Sequence, residues 1–104
     1  VEDMEERIEY YLLLTKYYIK DQHWRKVDKI YRKLRRLCRK KSVKTNFAKT
    51  RADIYANHAR YLHKYRQDTA RMKKSCDQAT AIYREIQLPG KIEKLRTDLG
   101  YSSN

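Results

Sequence analysis

The chain has 104 residues, enough for one domain with a modest core, and its two glycines and one proline leave nothing before Leu88 punctuated like a sheet. Charged residues make up 38% of it and the formal net charge is +13, but an apolar share of 40% and ten tyrosines argue against a disordered polyelectrolyte. There is no secretory signal, transit peptide or apolar run of membrane length, and the two cysteines share no spacing motif, so the expectation is a folded domain in a reducing intracellular compartment, cytoplasm or nucleus.

In chain order, residues 2–20 place Met4, Ile8, Tyr11, Thr15, Tyr18 and Ile19 on one stripe, with Leu12 and Leu14 widening it. Steps of three and four predict an amphipathic helix, with acids at its positive end and Lys20 at its negative end. Residues 21–23 form a break in which Asp21 is a candidate cap for the next helix. Over 23–41, Trp24, Val27, Ile30, Tyr31, Leu34, Leu37 and Cys38 repeat the same steps. Periodicity lapses near Ser42–Thr45, and Thr45 is placed to cap a third helix running to about Arg66, with Ala48, Ala52, Tyr55, Ala59 and Leu62 inward. Its alanines predict close approach of a neighbouring helix. Asp68 or Thr69 then caps a fourth helix lined by Met72, Cys76, Ala79, Tyr83 and Ile86. "LPGKIEKLRTDLGY" reads as a turn and a short helix with Ile92, Leu95 and Leu99 inward, Gly100 as a left-handed cap and a frayed tail.

The expected fold class is therefore all-α: four long helices plus a short C-terminal helix, folded as antiparallel hairpins because the breaks are short. Residues 1–104 read as a single domain, with hairpin 1 at about 2–41, hairpin 2 at about 45–87 and a closing helix at about 89–100. The second hairpin echoes the first at an offset of 45: Leu14 matches Ala59, Trp24 matches Thr69, Val27 matches Met72 and Tyr31 matches Cys76. The chain opens on Val1, as a segment cut from a longer protein would.

The stretch "ARYLHKYRQDTARMKKSCDQATAIYREIQLPGKIEKLRTDLG" resembles the tetratricopeptide-like (TPR-like) helical repeats. In the first hairpin, Leu14 and Tyr18 fit first-helix signature positions, and Trp24, Val27, Tyr31 and Leu34 fit second-helix ones. Thr15 and Arg60 depart from the family's small residue, Tyr11 and Ala56 from its tryptophan, and the spacing exceeds the usual repeat of about 34 residues. The resemblance implies a right-handed superhelix fragment that presents a surface to a partner, with no chemistry and no carried-over binding residues.

No phosphate loop, zinc-protease motif, nucleophile elbow or carboxylate pair on one helical face is present, so no enzyme and no cofactor is expected. His58 and His63 are five apart, a step of roughly 140° around a helix, which does not suit a shared metal. Cys38 and Cys76 fall on apolar stripes, where a thiol behaves as a small hydrophobe.

The charge is uneven. Residues 1–9 carry five acids against Arg7, whereas 22–76 carry nineteen Lys or Arg against Asp28, Asp53 and Asp68. Arg25, Lys29, Arg32, Lys33, Arg36 and Lys40 on the second helix are the candidate partner-binding residues. Tyr61 and Tyr65, one turn apart and off the stripe, are aromatic contributors that would grip a peptide, stack bases or pack on a further repeat. Two partner classes stay open: an acidic protein segment or neighbouring subunit, and RNA or DNA. Self-association through exposed tyrosines is a further expectation. A membrane surface is not expected, because the apolar stripes are committed to the core.

Overall fold

The computed structural model describes residues 3–101. Glu2, at the expected start of the first helix, and the tail beyond Tyr101 lie outside them. Among the described residues the regular structure is all helical: α1 (Met4–Lys20), α2 (Trp24–Leu37), α3 (Lys41–Asn46), α4 (Ala48–Tyr61) continued by a π-helical turn (Leu62–Arg66), α5 (Thr69–Glu85) and α6 (Pro89–Asp98). They fall into two compact units, one ending at Phe47 and the other starting at Ala48.

In the first unit α1 packs on α2. Asp3 caps α1 by accepting from the Glu5 amide at 3.0 Å, and Glu5 and Glu6 occupy its first turn, where the helix dipole favours them. Lys26 Nζ stands 5.1 Å from the Tyr18 ring centroid and Lys33 Nζ 5.8 Å from that of Tyr11. The contact moves seven residues up one helix as it moves seven down the other, so the pair is antiparallel. Ile8, Val27, Leu34 and Cys38 of this unit are fully buried.

In the second unit α4 and α5 make the most extensive helix pairing, and α6 packs on α5 and touches α4. Ala52, Ala56 and Ala59 are fully buried, and such small side chains permit close helix approach. The Tyr83 hydroxyl on α5 donates to the Asp53 carboxylate on α4. Leu95 and Leu99 are buried, while Ile86 and Ile92 are only half-buried.

The connections follow one rule. At the end of α1, Gln22 adopts φ 59° and the His23 amide donates to the Tyr18 carbonyl at 2.8 Å. Gln87 (φ 61°) and Gly100 (φ 80°) repeat this after α5 and α6, with Leu88 bonding to Tyr83 and Tyr101 to Arg96, each at 2.8 Å. These are left-handed caps of the Schellman kind. Gln67 (φ 51°), 45 residues after Gln22, is the fourth, but there the Asp68 amide reaches back one residue further, to the Leu62 carbonyl at 3.2 Å. The wider reach accompanies the π turn. Helix starts recur at the same offset, Trp24 and Thr69.

Several expectations change. Asp21 closes α1 rather than capping α2, whose N-cap is His23 without a side-chain bond. The second helix stops at Leu37: the Arg39 and Lys40 amides turn tightly onto the Arg36 and Leu37 carbonyls. Thr45 then lies inside a short helix, α3, whose Val43 is fully buried, and the third long helix begins only after Phe47. Asp68 does cap α5, accepting from the Arg71 amide at 3.1 Å.

Candidate functional site

Arg25, Lys29, Arg32 and Arg36 are all exposed. Their spacing of four, three and four places them within about 60° of arc on α2, along roughly 16 Å of its axis. Among the described residues none of the four is ion-paired with an acid. The opposite side of α2, carrying Val27, Ile30, Tyr31, Leu34 and Leu37, is buried. Packing of that side is what aligns the cations outward as a ridge. Arg25 also stands in the first turn of α2, beside Lys26, at the end where the dipole disfavours a cation, and no acid is there to offset it.

Lys33 is exposed but lies on the flank of α2 that meets α1, over the Tyr11 ring. Lys40, expected on the same helix, is exposed in the turn before α3, because α2 has already ended. The ridge thus keeps four of the six expected cations in line.

Tyr61 does not lie at the surface as expected. It is 2% exposed, because α4 buries a second face made by Ile54, His58 and Tyr61 at steps of four and three. The His58 and Tyr61 rings stack with centroids 6.3 Å apart. Tyr65, in the π turn, remains 40% exposed with Lys64 Nζ 5.3 Å from its ring centroid. Only one of the two tyrosines can therefore meet a partner.

A cleft of about 750 Å³ beside the π turn is lined by Arg60, His63, Lys64, Gln67, Thr69 and Asp98. Arg60 Nε donates to Asp98 Oδ2 at 2.8 Å, and Lys94 Nζ stands 3.3 Å from Oδ1. Burial alone would raise the Asp98 pKa; the hydrogen bonds and charges of Arg60 and Lys94 outweigh it and hold the carboxyl below its usual range. Burial, then the hydrogen bond to Asp53 and the charge of that carboxylate, push the Tyr83 phenol well above its usual value, against the pull of Arg60. Burial and the neighbouring Asp77 raise the Cys76 thiol, with Arg96 opposing. Both cysteines are buried thiols outside any disulfide.

Leu13 has no place in the inward stripe expected of the first helix. Tyr10, Leu13 and Tyr17 are 58%, 52% and 62% exposed and share one outward stripe of α1. Their steps of three and four are legible in the sequence, but Leu12 and Leu14 on either side of Leu13 make the run apolar all round, so the outward stripe does not stand apart from the inward one.

Among the described residues no group of three or more His, Cys, Asp or Glu side chains is placed to hold a metal ion. None of the described helices is long and apolar enough to cross a membrane. Searches against protein-family models, curated proteins and solved structures match nothing to this chain.

Proposed function

We propose that this chain is a non-enzymatic interaction module of TPR-like helical hairpins, working in the cytoplasm or nucleus, whose α2 ridge binds an acidic segment of a protein partner. The observation that carries the reading is the line of Arg25, Lys29, Arg32 and Arg36, exposed and without acidic partners among the described residues. Carboxylates spaced along one face of a partner helix meet such a line in charge-assisted hydrogen bonds, which Arg makes in bidentate form. Hairpins whose left-handed connections recur at an offset of 45 residues support the repeat character.

An acidic protein is preferred to single-stranded nucleic acid on one ground. Sequence-tolerant single-strand binding combines cations with aromatic stacking platforms, and burial of Tyr61 removes one of the two expected. Fluorescence anisotropy decides between them, using a glutamate-rich helical peptide, random single-stranded RNA and duplex DNA across a salt series. The expected result is saturable peptide binding that is lost when Arg25, Lys29, Arg32 and Arg36 become glutamate. Tighter binding of RNA or DNA, with a steep salt slope removed by the same changes, would transfer the ridge to a polynucleotide. Peptide binding that survives the reversal would end the proposal.

A further inference from the structure

The outward stripe of α1 reads Glu6, Tyr10, Leu13, Tyr17, Lys20, all exposed. Its steps are four, three, four and three, so Leu13 lies at the centre with a tyrosine and then a charge on either side. Read from the other end, the apolar part is unchanged and the acid and base exchange places. The rest of the helix agrees: Asp3, Glu5, Glu6 and Glu9 against Arg7 in the first half, Lys16 and Lys20 at the end. A two-fold axis requires this kind of self-complementarity, because the same patch must serve as both partners.

We propose that α1 is a homodimerisation surface on which a second copy of the chain docks its own α1 antiparallel, crossing at Leu13. Tyr10 of each copy then lies beside Tyr17 of the other, and the acidic first half of each faces Lys16 and Lys20. A cleft of about 400 Å³ lined by Glu6, Arg7, Tyr10 and Tyr11 opens beside the stripe. It receives the Tyr17 ring of the second copy, with Glu6 positioned to accept from the phenol. A parallel pairing would set acids against acids and lysines against lysines. Two crossing helices of this length bury roughly 1,000 Å², near the lower limit for a specific interface, so the dimer is reversible.

Sedimentation equilibrium on the whole chain at rising concentration tests this. The expected result is a monomer–dimer equilibrium that Leu13→Glu abolishes while circular dichroism keeps its helical signal, since the position is half exposed. Glu6→Lys with Glu9→Lys weakens self-association about tenfold or more, as does Lys16→Glu with Lys20→Glu, and mixing the two variants restores pairing. Orientation is read by oxidation: Tyr10→Cys and Tyr17→Cys chains cross-link when mixed, and neither does so alone. A monomer at every concentration, or Tyr10→Cys linking to itself, would overturn the proposal. So would loss of the dimer on reversing Arg25, Lys29, Arg32 and Arg36, which would mean that the acids of one copy sit on the ridge of another. Because that reversal leaves the α1 stripe intact, failure here and failure of the acidic-partner reading are separable.

Discussion

Arg60, near the end of α4, and Asp98, the last residue of α6, meet at 2.8 Å across 38 residues of chain. Lys94 shares the carboxylate and Asn57 accepts from Arg60 Nη1 at 3.0 Å. The cluster ties the last helix to the first helix of its unit and forms one wall of the polar cleft.

Asp98→Asn removes that tie. Both partners are about one-third exposed, so the expected loss is about 0.5–1 kcal/mol at neutral pH. Because the folded carboxyl titrates below its unfolded value of about 3.9, its contribution is present above that pH and fades as pH falls through the folded pKa. Urea unfolding of both proteins at pH 7 and in strong acid checks this. The gap between them should close in acid; a gap of the same size at both ends of the range would refute the assignment.

Tyr83→Phe leaves the Asp53 carboxylate with Lys49, 3.0 Å away, as its remaining ionic partner. The expected destabilisation is about 1–2 kcal/mol. The raised pKa gives an independent reading: the neutral phenol's contribution is complete below the unfolded value of about 10 and lost only as pH climbs through the folded one. In an alkaline absorbance titration, ionisation of Tyr83 should accompany unfolding, and the Phe variant should lose that part of the amplitude.

Gln22 and Gln87 hold left-handed backbone at helix ends where glycine carries no steric penalty. Replacing either by glycine should stabilise the chain by about 0.5–1 kcal/mol, after the extra unfolded-state entropy of glycine is deducted. Thermal melts measure it, and Gly100→Ala should shift them the opposite way, through strain alone, since an added Cβ meets no atom within 4 Å.

Cys38 is fully buried, and Cys76 is buried with a raised pKa. Native protein should therefore react with an alkylating thiol reagent far more slowly than a free cysteine peptide, and both thiols should react at once in denaturant. Fast modification of either in the native state would contradict their placement.

Helical periodicity carries most of the architecture, because it is a property of neighbouring residues. The apolar lines through Ile8 and Thr15, through Val27 and Leu34, and through Met72 and Cys76 are the buried ones, and Asp68 and Gly100 cap as their residue types demand. The cationic ridge follows from the same arithmetic, since burying one side of α2 turns the other outward. The stop after Leu37 was harder to read, because basic residues continue unchanged through Lys41 while the backbone turns; only the buried Val43 marks the new helix.

What periodicity could not decide is which of two similar triads would be covered. Tyr10, Leu13 and Tyr17 on α1 and Ile54, His58 and Tyr61 on α4 both repeat at steps of three and four, and each mixes aromatic with aliphatic or polar groups. The first is more than half exposed and the second is buried. Burial of a second helix face depends on which segments arrive beside it, and that is settled by tertiary packing rather than by the helix's own residues. Covering of that second face withdraws Tyr61 from the surface, whereas the α1 stripe stays exposed.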